Sequence, residues 1–200
     1  MAEEVPEAAT GLPPIDPVTG YLPPGIHPCT WDEFVATFVD DAPHQASRRR
    51  RLLALQSYVD VLDELLPGTT LWLDGGFTTH KATEPFDIDV VAVVDPQVWT
   101  NVAQASEDEL QALAAWAASD QTAPQPKTPI TTSLSGLLTL MNVRSDQGSF
   151  PRTQPFGGRI DGFIIPADAT AGLDYFRTIW TEDYATGAPK GFVEVRPDDR

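Results

Sequence analysis

The sequence predicts one α+β domain, a mixed and twisted sheet with helices packed mainly on one face, over residues 29–197 behind an N-terminal arm of residues 1–28. Two β-branched runs, Thr70–Asp74 and Asp87–Val94, flank a glycine-bearing turn, and a third, Gly158–Pro166, follows much later. Around them lie stretches whose apolar residues recur at steps of three and four, as in amphipathic helices. Alternating strands and helices bury their apolar faces against one another in layers, and the sheet of such a layer is twisted. At 42% hydrophobic residues, 200 residues suffice for one ordinary core.

The arm holds seven of the 19 prolines, which cannot propagate a helix, so it reads as extended or partly disordered chain. Its first ten residues are expected to be mobile, and the part from Gly20 onward, with Tyr21, Leu22 and Ile26, to lie across the domain. Thr30 and Glu33 have capping-box spacing and predict a short helix to about Val39, with Phe34, Val35 and Phe38 on its inner face. Asp40, Asp41 and Pro43 end it. Ser47 is the expected cap of a second helix reaching about Leu66, with Leu52, Leu55, Val59, Leu62 and Leu66 on one stripe and Pro67-Gly68 as its stop.

That helix opens with Arg48-Arg49-Arg50-Arg51, where the macrodipole favours acids instead. Either nearby acids such as Asp40 and Asp41 offset the arrangement, or the arginines meet phosphates of a nucleotide or an acceptor RNA. After Asp95-Pro96 the pattern turns helical, with Ser106 and Glu109 at capping-box spacing ahead of Leu110, Leu113, Ala114 and Ala117. Residues 119–133 read as a loop, and Leu134 to Val143 suits a short helix or a strand equally. Ala169 to Tyr184 predicts a helix with Leu173, Phe176, Ile179 and Trp180 facing the core. A turn at Ala188-Pro189-Lys190-Gly191 leads into a last strand, Phe192–Val195.

The totals exclude several classes. A net charge of −16 and a pI near 4.3 argue against a surface that coats extended DNA or RNA, since phosphate binding draws on clustered Lys and Arg. A nucleotide carried with a divalent cation stays compatible, because the metal brings its own positive charge. Cys29 is alone, so neither an internal disulfide framework nor a thiolate metal cluster can form. No apolar run is long enough to cross a membrane and no leader pattern opens the chain, so the expected location is the cytoplasm. His27, His44 and His80 are dispersed, and no G-x-S-x-G suggests a nucleophile triad.

In Asp87-Ile88-Asp89 the two carboxylates project to the same side of a strand, roughly 7 Å apart, while Ile88 points to the other. Like charges this close, within a run of Val and Ile, call for compensation, and a divalent cation is the simplest. Oxygen ligands are what Mg²⁺ prefers. Glycines at 75 and 76 permit a tight turn and close approach of backbone N–H groups to phosphate oxygens.

The order Gly75-Gly76, ten residues, Asp87-Ile88-Asp89 resembles the signature of the DNA-polymerase-beta-type nucleotidyltransferase superfamily. Leu22-Pro23-Pro24-Gly25-Ile26-His27, Thr30-Trp31-Asp32-Glu33-Phe34, the run Trp72 to Thr79 and Lys190-Gly191 look like an uncharacterised nucleotidyltransferase-like family of bacteria and their phages. The resemblance covers residues 21 to 95 well and 158 to 195 loosely. It implies transfer of a nucleoside monophosphate from an NTP, ATP among them, to a hydroxyl of a protein, an RNA end or a small molecule. Related small proteins sometimes act as toxins or their neutralisers.

Mg²⁺ or Mn²⁺ is the implied cofactor, with Asp87, Asp89 and Asp161 as catalytic and metal-binding carboxylates. Gly75, Gly76, Thr78, Lys81 and Lys190 are the residues implied for nucleotide binding. Gly76 stands where the superfamily usually has a serine that helps hold phosphates. A catalytically degenerate nucleotide-binding or interaction module is therefore the alternative expectation. A structural Ca²⁺ site is a third, although the loop lacks the ligand order of an EF-hand.

Overall fold

The computed structural model describes residues 11–119 and 152–197. In chain order its elements are β1 (Gly25–Cys29), α1 (Trp31–Val35) running into one π-helical turn (Ala36–Asp40), α2 (Gln45–Leu65), β2 (Thr70–Asp74), a 3₁₀ turn (Gly75–Thr78), β3 (Ile88–Val94), α3 (Pro96–Ala117), β4 (Arg152–Thr153), a single turn (Pro155–Gly158), β5 (Ile160–Pro166), α4 (Thr170–Ile179) and β6 (Gly191–Val195). The strands form a mixed sheet in the order β1-β6-β2-β3-β5-β4. β1 runs parallel to β6 and β3 parallel to β5, while β6–β2, β2–β3 and β5–β4 are antiparallel. The expected loop at 120–133, the segment Leu134 to Val143 and the first ten residues lie outside the described residues.

Alternation along the strands sends side chains to two different cores. Leu71, Leu73, Val90, Ala92, Ile160, Ile164, Val193 and Val195 face α1, α2 and the start of α3, together with Phe34, Phe38, Leu55, Val59 and Leu62. On the other face Trp72, Val91, Ile165 and Phe192 meet Leu173, Phe176 and Trp180 of the α4 region. Among the described residues helices thus cover mainly one face, and α4 alone lies on the other. The arm joins the larger core through Leu22, and Gly20 accepts the His80 N–H at 2.8 Å.

Helix starts follow local chemistry. Thr30 caps α1 as a capping box: its hydroxyl accepts the Glu33 N–H at 3.2 Å and Glu33 accepts the Thr30 N–H at 2.9 Å. α2 begins at Gln45, and Ser47 is not its cap. His44 precedes the helix in the left-handed region (φ 63) with its ring on the Ala82 carbonyl, and the Ser47 hydroxyl donates to Glu84 instead. α3 likewise starts at Pro96, where the Asp95 carboxylate accepts the Gln97 and Val98 N–H groups at 2.8 and 3.1 Å. Ser106 sits inside that helix with its hydroxyl on the Val102 carbonyl. Ile179, expected in the core, is 41% exposed at the end of α4, because the chain turns away just beyond it.

Arg48 is fully buried and has no carboxylate partner among the described residues. Its guanidinium donates to the carbonyls of Pro43 (2.7 Å), Phe38 (2.9 Å), Phe77 (2.5 Å) and Thr79 (2.7 Å), and lies over the Phe77 ring. Burial, with Arg51 close by, pushes its pKa down to about 10. This one side chain ties α2 to the glycine turn.

Candidate functional site

The sheet register sets Asp74 of β2 opposite Asp89 of β3, and Asp89 opposite Asp161 of β5. Neighbouring strands lie about 4.8 Å apart, so these three carboxylates form one row on the α4 side of the sheet. Asp87, just ahead of β3, is a fourth, close enough that its charge acts on Asp89 and that of Asp161 acts on it.

The four are compensated unequally. Asp74 is buried and gripped by the Lys190 ammonium, which donates to both its oxygens at 2.5 and 2.6 Å. Burial pushes its pKa up while Lys190, the Gly75 N–H and the Thr78 hydroxyl pull it back. Asp161 is held in a fork by Arg152, at 2.7 and 2.5 Å, and Arg152 in turn lies over the Phe163 ring. Asp87 and Asp89 form no ion pair among the described residues. Burial, then the charges of Asp87, Asp74 and Asp161, raise Asp89 to about 7. Asp87 is raised by burial and by Asp161, against Arg51 and Arg152.

Gly75 shapes the cluster directly. Its φ is +81°, and a Cβ there would come 1.8 Å from Asp89 Oδ2, so the carboxylate rests against the bare α-carbon. Gly76 is under no such constraint: the nearest atoms to a Cβ there belong to Pro85, at 3.7 Å. Thr78 is buried, and its hydroxyl closes the turn on the Gly75 carbonyl at 3.3 Å.

A cleft of about 290 Å³ opens beside the row, lined by Asp74, Gly75, Gly76, Lys81, Asp89 and Lys190 from the sheet side. Ile179, Trp180, Glu182, Asp183 and Tyr184 complete it. Lys81 pairs with Asp183 at 2.5 Å and lies over the Tyr21 ring. Burial would raise Asp183, but hydrogen bonds from Lys81 and Thr186 hold it well below the usual carboxylate range. Both lysines of the cleft are therefore already neutralised. Of the sequence-predicted residues, Gly75, Gly76, Lys81, Asp89 and Lys190 converge on this cleft, Asp87 and Asp161 stand beside it, and Thr78 turns inward beneath it.

The arginine run is divided in its uses. Arg48 is structural, Arg49 pairs with Asp40 at 3.2 Å on the surface, and Arg51 donates to the Phe86 carbonyl at 2.8 Å with Glu84 at 3.6 Å. Asp74, Arg152 and Asp183 escaped sequence reasoning, since each owes its place to strand register or to a loop contact distant in sequence.

Residues 13–196 match DUF6932, a family of unknown function. The chain belongs to that family. No curated protein and no solved structure matches it. The DUF6932 match runs from ahead of β1 to the end of β6 and so includes every residue of the acid row and the cleft.

Among the described residues no three His, Cys, Asp or Glu side chains are arranged to hold a metal ion between them. What the site offers a cation is the Asp87–Asp89 pair, two hard oxygen donors with uncompensated charge. Mg²⁺ is commonly held by one or two carboxylates, with phosphates and water filling its other positions, and the pair fits that mode. No helix among the described residues is long and apolar enough to cross a membrane.

Proposed function

We propose that the protein is a divalent-metal-dependent nucleotidyltransferase that moves a nucleoside monophosphate from an NTP to a hydroxyl acceptor. The observation that carries this reading is the unpaired Asp87–Asp89 couple packed on the Gly75 turn, in a row where every other carboxylate has a cation of its own. The cleft favours it as well. With both lysines neutralised and Asp89 and Glu182 on its walls, a triphosphate can enter only in company with positive charge.

Mg²⁺ or Mn²⁺ at Asp87 and Asp89 would neutralise the phosphates and favour the ionised form of the acceptor hydroxyl. The protein's own part is positioning. The Gly75 N–H is held by Asp74, so the Gly76 N–H is the one left for phosphate oxygens, Lys81 and Lys190 flank the turn, and Arg48 and Thr78 hold it rigid from below. The acceptor oxygen forms a bond to the α-phosphorus in line with the departing group. The bond to the β-phosphate bridging oxygen breaks, and pyrophosphate leaves with that electron pair. Asp161 is occupied by Arg152, so the hydroxyl proton passes to solvent.

One observation favours the alternative, a degenerate module that binds a nucleotide without transferring it: Asp161 is bound by Arg152, and the third carboxylate of the row is thereby withdrawn from a cation. Incubation with each α-³²P-labelled NTP, Mg²⁺ or Mn²⁺ and a lysate of protein plus RNA separates the two. Transfer predicts label on a macromolecule with the wild type and none with Asp87→Ala/Asp89→Ala. NTP binding without label supports the module, and no binding at all removes both.

A further inference from the structure

Outside the cleft, the carboxylate pair is bordered by a second surface of different character. Phe86, next to Asp87, is 78% exposed, and Phe156 in the Pro155–Gly158 turn is 46% exposed. The Ile88 N–H donates to the Arg159 carbonyl at 2.9 Å, which brings that turn alongside Phe86 and Asp87. Phe156 holds φ 55, a left-handed conformation that bulky residues rarely take and that is tolerated chiefly at functional sites.

Cations gather at the same place, in a chain with only 13 Lys and Arg against 29 Asp and Glu. Arg51 reaches the Phe86 carbonyl and feels the charges of Arg50, Arg159 and Asp87. The side chains of Arg50 and Arg159 are exposed and make no ion pair or hydrogen bond among the described residues, Arg50 acting on Glu84 only at longer range. Two exposed rings interleaved with uncommitted guanidinium groups are the means by which single-stranded nucleic acid is held: bases stack on the rings and phosphates meet the arginines. The strongly acidic remainder of the molecule repels a longer polyanion, which restricts contact to the last few nucleotides.

We propose that Phe86, Phe156, Arg50 and Arg159 form an acceptor subsite for the hydroxyl end of a short single-stranded polynucleotide, laid beside Asp87. The terminal hydroxyl is then the one that bonds to the α-phosphorus. This use of the bound end rests on the transfer reading above, whereas the binding itself does not.

The test is fluorescence anisotropy of a 5′-labelled hexanucleotide, RNA in one arm and DNA in the other, titrated with the full chain at low salt in EDTA. Phe86→Ala/Phe156→Ala and Arg50→Glu/Arg159→Glu are compared with wild type, and Tyr175→Ala, an exposed ring on α4, serves as control. Circular dichroism verifies that each variant is folded. The subsite predicts saturable binding weakened about tenfold or more in both double variants, unchanged in Tyr175→Ala, and reduced by added salt as expected for one or two phosphate contacts. The arm that binds tighter identifies the sugar. No binding by wild type, or equal loss in Tyr175→Ala, overturns the subsite. Mg²⁺-NTP binding by the wild type is measured in parallel, so oligonucleotide binding without NTP binding keeps the subsite and removes transfer, and the reverse keeps transfer and removes the subsite.

Discussion

Gly75 and Gly76 are neighbours with different duties. Adding a methyl at 75 sets a Cβ 1.8 Å from Asp89 Oδ2 at a φ of +81°, so Gly75→Ala strains the backbone and expels the carboxylate together. We expect a cost of roughly 2–3 kcal/mol, a fall of about 5–10 °C in Tm, and loss of Mg²⁺-dependent NTP binding. Gly76→Ser, with 3.7 Å to Pro85, should leave Tm unchanged and, under the proposed transfer, tighten NTP binding by adding a hydroxyl donor beside the phosphates. Asp89 supplies a second expectation. Its folded pKa of about 7 lies above the ordinary 3.8, so the stability it contributes is full below about pH 4 and lost as pH rises through 7. Metal-free wild type should therefore lose stability between about pH 4 and 7 relative to Asp89→Asn, by roughly 2–4 kcal/mol, and parallel Tm curves would contradict this. Asp87 was expected on the same strand as Asp89, yet β3 begins at Ile88 and Asp87 stands just ahead of it, close enough for its charge to raise Asp89. Asp74 was not legible, although it stands in the same short run as the glycines, because its place opposite Asp89 depends on a register that a long β2–β3 connection leaves unspecified.

Among the elements, α2 shows where sequence reading reaches and where it stops. Its leucine stripe announced a helix and its length, and the stripe is what packs on the sheet. The arginines at its start looked like a solvated or ligand-facing cluster, yet Arg48 is the side chain that binds α2 to the carbonyls of Phe77 and Thr79. Nothing in a run of four like residues distinguishes the one that turns inward. Arg48→Met should leave those carbonyls unpaired at a cost of about 3 kcal/mol or more, and Arg48→Lys should rescue little, since an ammonium cannot span the same acceptors. Thermal denaturation of both variants measures it; a Tm within 2 °C of wild type would assign the turn's rigidity elsewhere. Helix starts failed at Ser47 and Ser106 for different reasons: the Ser47 hydroxyl is drawn to Glu84 inside a helix that already begins at Gln45, and Ser106 lies within a helix that the Asp95 carboxylate caps eleven residues earlier.

For the molecule as a whole, the layered α+β class followed from patterning, but the strand order did not. β1 and β6, at opposite ends of the described chain, run parallel as neighbours, and the row Asp74–Asp89–Asp161 exists only because β2, β3 and β5 are adjacent. Charge acts at this scale too. With a net charge of −16 and both cleft lysines already paired, NTP should not bind without a divalent cation at ordinary ionic strength. The most direct measurement is calorimetric titration of the wild type and of Asp87→Asn/Asp89→Asn with ATP and GTP, each with Mg²⁺ and with EDTA. Binding is expected by the wild type only with Mg²⁺, and none by the double variant under either condition. Equal binding by both proteins, or by wild type in EDTA, would contradict a site built on the Asp87–Asp89 pair.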